Sequence, residues 1–448
     1  MQKGKVRFLL VNPWIYDFAA YDFWSKPLGL LKLASLLEEN DVTIDYIDCL
    51  ETSSVSGKTD GIKLPKRKPA GCGNFLKQRI EKPEKLKNIQ RYYSRYGISP
   101  SIFEGRLSKL LQPHAILLTS FMTYWYPGLI DTVKILRKHF GKTPIILGGI
   151  YATLCEDHAK RNIDADYVIT GNGEPFIIKY LSDKFKIKTG EYDYDDPDSF
   201  PFPLYSLYDD PDSALIETSR GCPFNCKYCS SKYLVPSFKR RKIEKVIEEI
   251  EYLHYHLGIK NFSFADDALL WGREIRSLLK LLVKKKLKCS FFTPNGIHAS
   301  RIDDVTAELM FEAGFSGLKL GIESKEVKFH KSMDNKTTPS DFVDSVKSLQ
   351  KAGFKHEDIG AYVMVGLPWQ TYEEAVKSLD FVIEAGAKPY ITQYSPIPHS
   401  TLFEEACRAS SYDLASDPIY HNNSILPLRW EKFGFEELFK LKAYIKKV

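Results

Sequence analysis

Three cysteines fall within eight residues in the stretch ETSRGCPFNCKYCSSK, residues 217–232. Cys222, Cys226 and Cys229 have the spacing C-x3-C-x2-C. Three thiolates are one ligand short of the closed tetrahedral set that structural zinc takes. The nearest histidines, His254 and His256, lie in a stretch with helical periodicity, and no second C-x2-C occurs in the chain. Iron–sulfur clusters are also held by thiolates, ordinarily four. With three, one iron keeps an open coordination position, and an open position is what chemistry on a bound molecule requires. The other cysteines, Cys49, Cys72, Cys155, Cys289 and Cys407, are scattered and read as buried residues.

The elements that must position this loop form an alternating series. ALIETS reads as a strand leading into the cysteines, followed by the helix KIEKVIEEIEYLHYHLG. Strand and helix then alternate through NFSFADD, REIRSLLKLLVKKK, CSFFTPNGI, DDVTAELMFEAG, GLKLGIES, PSDFVDSVKSLQKAG, IGAYVMVGLP, YEEAVKSLDFVIEAG and PYITQYSPIP. Six strand–helix steps predict an open, partial (β/α)6 barrel over residues 214–399, since eight would close one. Ligands of such sheets sit at the carboxyl ends of the strands, and the cysteine loop is there. Residues 400–448 read as a small helical tail.

An earlier alternation, VRFLLVNP, KPLGLLKLASLLEEN, VTIDYIDC, HAILLTSF, YPGLIDTVKILRKHF, TPIILGG and DYVITGNGE, predicts a doubly wound parallel sheet over residues 1–186. Residues 51–112 interrupt it with a long basic insertion, expected to be functional or partly helical. Residues 187–213, acidic and proline-rich, read as a linker whose aromatics lie against a surface. The fold class is α/β throughout.

The cysteine loop resembles the signature of the radical S-adenosylmethionine (SAM) superfamily, C-x3-C-x-aromatic-C, with Tyr228 at the aromatic position. The resemblance runs over roughly residues 213–400. FADDALL stands where the family places a segment touching the methionine amino group, pointing to Ala265, Asp266 and Asp267. LKLGIES resembles the family's Gly-Ile-Glu-Ser segment near the SAM ribose, pointing to Glu323. VGLPWQT resembles Gly-Leu-Pro-Gly-Gln-Thr, with Trp369 in place of the second glycine, and adds Gly366 as a SAM contact; Asn295 in TPNGI is another. The resemblance implies a 4Fe–4S cluster whose open iron is chelated by SAM, and reductive cleavage of SAM to a 5′-deoxyadenosyl radical that abstracts hydrogen. The missing ligand is then the cosubstrate.

The first domain is similar to the cobalamin-binding domain that precedes many radical SAM enzymes. The likeness rests on KPLGLLKLASLLE, LLTSFMTYWYPG, ILGGIYAT and YVITGNGEPF. Gly148, Gly149, Gly171 and Gly173 at strand ends would let backbone approach a large ligand, and Thr119 and Ser120 could hydrogen-bond a cobalamin tail. Cobalamin domains of the methionine synthase type carry Asp-x-His-x-x-Gly after the first strand. Here NPWIYD puts Asn12 and Trp14 at the places of the Asp and His, and no histidine precedes His114. Imidazole ligation of cobalt from that loop is therefore excluded; Trp14 either crowds the lower cobalt face or belongs to the core.

The resemblance makes methyl transfer to an unactivated carbon or phosphorus centre the leading reaction. A cobalamin-dependent rearrangement or cyclisation without methyl delivery is the alternative within the same architecture. A methylthiotransferase would place a second cluster on Cys49, Cys72 and Cys155, but the loop after the first strand has no cysteine. A ligand sensor would need an output module, and none is seen. The substrate, a small molecule or peptide, is not named by the sequence; flavodoxin or ferredoxin would be a fitting electron donor.

Bulk properties agree with a cytoplasmic location. The 448 residues are 44% hydrophobic and 27% charged, with a net charge of +6, which is mild for this length and argues against nucleic acid as a partner. No apolar run is long enough to span a membrane, and the N-terminus enters a strand without a signal-peptide cleavage site. KLPKRKP (63–69) and RYYSRYG (91–97) are basic stretches able to meet anions or aromatic rings. His298, His399 and His421 are candidates for proton transfer, and DPIYHNNS (417–424) for a segment over the barrel mouth.

Overall fold

The structure, a computed structural model, describes residues 5–51, 64–430 and 432–447. Two compact units are present: Met1–Pro211 with Ser416–Ile419, and Asp212–Ala415 with Tyr420–Val448.

In the first unit, β1 (Arg7–Asn12), β2 (Thr43–Asp48), β3 (Ala115–Leu118), β4 (Ile145–Leu147) and β5 (Tyr167–Val168) form a parallel sheet in the order β2-β1-β3-β4-β5. Phe8, Leu9, Leu10 and Val11 of β1 are fully buried. A central strand covered on both faces reads as a continuous apolar run rather than an alternating one. Leu30, Ala34 and Leu37 of the helix Leu28–Glu39 close one face with Ile177, Tyr180 and Leu181. The strand order reverses between β1 and β3, and the crevice at their carboxyl ends is where such sheets take ligands.

The insertion is partly helical and also carries strands. Its described part contributes Lys77–Ile80 and Tyr93–Tyr96 to a three-stranded antiparallel sheet with Ile15–Asp17, plus the helix Pro100–Leu107. Residues 52–63, including Lys63 of the basic run, lie outside the described residues. Arg67 of that run is committed to Asp22 at 2.8 Å. In the second basic stretch the Tyr92 ring is covered by the Arg79 guanidinium, 3.7 Å from its centroid.

The expected linker is not one, because residues 187–211 pack into the first unit. The Tyr192 hydroxyl donates to Glu39, the Leu204 amide donates to the Leu31 carbonyl, and the Tyr208 hydroxyl donates to Asp48. Tyr192 and Tyr208 are anchors, each with its hydroxyl on a carboxylate.

In the second unit, β6 (Ala214–Ile216), β7 (Asn261–Phe264), β8 (Ser290–Phe292), β9 (Leu318–Glu323), β10 (Ile359–Val365) and β11 (Lys388–Gln393) are parallel. They form two sheets, β8-β7-β6 and a second in which the short strand Ile297–His298 precedes β9-β10-β11. A parallel bridge between Phe291 and Phe315 spans the gap. The intervening helices start where the sequence says they should. Thr338 and Thr371 each make a reciprocal capping box with Asp341 and Glu374.

The tail departs from expectation at one strip. Ser416–Ile419 belongs to the first unit, where the buried Asp417 carboxylate accepts from the Tyr126 hydroxyl at 3.0 Å and the Ile419 amide at 2.9 Å, and pairs with Lys85. His421 is fully buried and bonds the Leu414 carbonyl at 2.8 Å, so it is a packing residue and not a proton carrier.

Candidate active site

The cysteine loop leaves β6 through a hairpin of Ser219–Arg220 with Lys239–Arg240. Gly221 has φ +78°, and a Cβ there would stand 2.7 Å from the Ser237 carbonyl oxygen, so only glycine lets the chain enter the loop this way. The loop is tied down beyond its own strand. The Lys227 amide donates to the Met333 carbonyl and the Lys227 carbonyl accepts from Leu402, both at 2.8 Å. The Ser230 hydroxyl donates to the Pro398 carbonyl at 2.7 Å.

Cys222 and Cys226 are half-buried and Cys229 is exposed. Burial pushes Cys222 up and Cys226 up to about 12, while the Lys336 cation opposes both shifts; Cys229 lies within electrostatic reach of the two. Thiols so placed give up their protons when metal binds them. Among the described residues no three His, Cys, Asp or Glu side chains converge on a single ion site. A cluster makes a different demand, because each thiolate takes its own iron; three cysteines on one anchored loop meet it.

Around the loop the structure gathers Tyr228, Glu323, Lys336, Asp334 and His298. The Tyr228 hydroxyl donates to Asp334 at 3.2 Å, and His330 bonds the other Asp334 oxygen at 3.1 Å. Glu323, at the end of β9, has φ +57° and accepts from Lys336 Nζ at 3.0 Å. His298 is buried, packs 4.5 Å from Phe224 of the cysteine loop, and has no partner for Nδ1 among the described residues. Burial, helped by Lys336 and Arg301, pushes His298 down to about 3, so its imidazole is neutral. A buried neutral ring with a free nitrogen and a buried carboxylate suit a polar ligand such as the SAM nucleoside.

Three of the expected SAM contacts also make structural hydrogen bonds. Both Asp266 oxygens face back to β6, accepting from the Thr218 amide, the Thr218 hydroxyl at 2.7 Å and the Ser219 hydroxyl at 2.6 Å. Its carboxylate is spent on joining the first two barrel strands. The Asn295 amide donates to the Ala265 carbonyl at 2.9 Å, linking the ends of β7 and β8. Gly366, at φ +81°, donates its N–H to the Gln370 side chain at 2.8 Å. Asp267 remains exposed beside the loop, close enough to Cys222 to act on it electrostatically. His399 stacks on Tyr233 with centroids 3.7 Å apart.

In the first unit, Trp14 is a core residue. It is 1% exposed, donates Nε1–H to the Ile98 carbonyl at 2.8 Å and meets Phe103 edge-on, so the insertion encloses it and it cannot crowd a ligand. Asn12 is likewise committed, donating to Asp48 at 2.8 Å. The Ser120 hydroxyl donates to the Gly148 carbonyl and accepts from the Ala152 amide. Gly149, at φ +98°, is demanded by the chain itself, since a Cβ would lie 2.3 Å from the Ser120 carbonyl oxygen. A Cβ at Gly173 would touch Leu33 at 3.2 Å. Thr119, Gly148 and Gly171 are the members of the expected set that remain open: nothing would meet a Cβ at either glycine, and Thr119 is half-buried at the end of β3.

Sequence reading missed Lys336. Nothing marks it among 63 lysines and arginines, because it lies in a loop whose pairing with Glu323 is made only by the fold.

Residues 216–382 match the family model of the radical SAM superfamily. That stretch is a radical SAM domain. An uncharacterized methyltransferase of Pyrococcus horikoshii is 25% identical over 372 residues, covering 76% of this radical SAM chain and 77% of that one. The radical SAM methyltransferase TsrM of Kitasatospora setae, solved with cobalamin and a [4Fe–4S] cluster, superposes with a TM-score of 0.63 at 14% identity over 94% of this chain and 82% of that one. The cobalamin-dependent radical SAM enzyme OxsB, solved with aqua-cobalamin and SAM, gives 0.54 at 13% identity over 99% of this chain and 62% of that one. At these identities the solved structures share the fold: a Rossmann-like sheet followed by a partial barrel. Among the described residues no helix is long and apolar enough to cross a membrane.

Proposed function

We propose that this radical SAM enzyme is a cobalamin-dependent methyltransferase acting on an unactivated carbon or phosphorus centre of a small molecule or peptide. The observation that carries the reading is that the likeness to TsrM extends over both units, 94% of the chain, and is not confined to the barrel. When bound, a 4Fe–4S cluster with SAM supplies one-electron cleavage of a sulfonium bond, and cobalamin supplies a methyl carrier. Cys222, Cys226 and Cys229 would hold the cluster. Tyr228, Glu323 and His298 line the SAM side, with Glu323 accepting from the ribose hydroxyls. Thr119, Gly148 and Gly171, at the carboxyl edge of the first sheet, border the space a corrin and its tail would enter. With Trp14 enclosed and Asn12 bonded to Asp48, the loop after β1 offers cobalt no nitrogen ligand. We place the enzyme in the cytoplasm, reduced by a flavodoxin- or ferredoxin-type donor.

The deciding experiment is an anaerobic assay with SAM labelled in its methyl group. Label in the product together with released 5′-deoxyadenosine supports the reading. 5′-Deoxyadenosine without label in product favours a rearrangement or cyclisation. Two clusters per chain and no bound cobalt would indicate a methylthiotransferase.

A further inference from the structure

We propose that Lys336 is a positioning residue of this site: its buried ammonium fixes the Glu323 carboxylate for SAM and places a positive charge beside the cysteine loop. The inference rests on the SAM-binding role proposed for Glu323.

Lys336 and Glu323 form an ion pair of 3.0 Å whose side chains are 9% and 10% exposed. A buried pair is a poor device for stability, because apolar residues of the same volume often do as well once desolvation is counted. Its presence at the mouth of a barrel strand calls for another reason. Glu323 adopts a left-handed backbone at a register shift in the β9–β10 pairing, between Gly321 and Glu323. Such a conformation persists in a side-chain-bearing residue only where its surroundings hold it. Gly321 leaves the room: a Cβ there would come within 3.1 Å of the Glu323 carboxylate and 3.5 Å of Lys336 Nζ. Backbone strain, a missing side chain and a buried cation therefore converge on the orientation of one carboxylate.

An ammonium has three donors. One goes to Glu323, and Nζ also lies 5.5 Å from the centroid of the Tyr228 ring. Asp334 and Cys226 both lie within its electrostatic range. The same cation thus faces the carboxylate that would bind the ribose and a thiol that would bind iron. Reduction of a cluster adds negative charge, so a fixed cation beside it raises the reduction potential. A residue that merely filled space would leave that potential unchanged.

The test uses the full-length protein, reconstituted with iron and sulfide under anaerobic conditions, as wild type, K336M, K336R, E323Q and the E323Q/K336M double variant. Iron content, the SAM dissociation constant by equilibrium dialysis and the cluster midpoint potential by EPR-monitored titration are measured. K336M is expected to keep its iron, to bind SAM about tenfold or more weakly, and to move the midpoint to more negative potential. K336R is expected to restore both most of the way. In the double variant the two losses should be less than additive. A K336M protein with full iron and unaltered SAM affinity and midpoint overturns the proposal. Should K336M take up no iron, K336R decides: affinity and midpoint near wild type support the charge role, and losses in both with iron retained overturn it. An E323Q protein that binds SAM as tightly as wild type would instead strike the underlying assignment of Glu323.

Discussion

The three loop cysteines and His298 are both chemically primed, in opposite ways. The thiols are held near one another on an anchored loop and become ligands by losing protons. Cys222→Ala, Cys226→Ala or Cys229→Ala is expected to abolish iron binding and SAM cleavage. Alanine at Cys49, Cys72, Cys155, Cys289 or Cys407 should leave iron content intact. Burial pushes up the thiols of Cys49, Cys155 (to about 12), Cys289 (to about 11) and Cys407, as it does that of Cys226, so it is the shared loop and not acidity that sets the three ligands apart. Iron and sulfide analysis of each variant checks this, and cluster loss in any of the latter five would count against the site. His298 is neutral because burial holds it down to about 3. The unfolded chain takes up the proton first, near the ordinary histidine value, so the folded state is fully favoured above that value and loses stability as pH falls. Between about pH 7 and about pH 5 the metal-free protein should lose ~2 kcal/mol from this residue. Urea unfolding at the two pH values, in wild type and His298→Phe, measures the difference; an equal loss in both would refute the assignment. Residue identity carried the cysteines, because their spacing alone brings them to one loop. It did not carry Asp266 or Ser120, whose polar atoms point into the chain, since the direction of a side chain is a property of the fold.

Elements were legible wherever one physical rule dominated. The buried strands read as continuous apolar runs, and the helices after Thr338 and Thr371 announce their own first turns. The segments between them were less legible where tertiary contacts override composition. Acidic, proline-rich residues 187–211 read as a linker with its aromatics on a surface; Tyr192 and Tyr208 do lie so, and they seat the segment in the first unit. The insertion, expected to be functional or partly helical, carries an antiparallel sheet beside its helix. The cysteine hairpin gives the test at this scale. Gly221→Ala puts a Cβ 2.7 Å from a backbone oxygen at φ +78°. Neither strand of the hairpin can yield without moving the loop, so iron incorporation should fall markedly, with a stability cost of about 1–3 kcal/mol. Normal iron content with unchanged thermal unfolding would show that the hairpin relaxes freely.

The molecule joins a sheet that reverses its strand order to a barrel that stays open. Both present strand carboxyl ends, and each has polar groups committed to structure beside a few that are open. If cobalamin occupies the first sheet, the enclosure of Trp14 and the absence of any histidine before His114 leave the loop after β1 with no imidazole to offer cobalt. EPR of the cobalt(II) protein should therefore lack axial nitrogen hyperfine splitting, and its appearance would refute this account.

The strip Ser416–Ile419 imposes an order of events on the making of this protein. A ribosome delivers residues in sequence, and domains generally fold as they emerge. The first unit cannot follow that schedule to the end. Its Lys85 and Tyr126 must wait for Asp417, a carboxylate synthesised only after Asp212–Ala415 has been added. The nascent first unit therefore lacks this carboxylate until the whole of Asp212–Ala415 has been made, and its closing stitch is set by residues that come after that stretch.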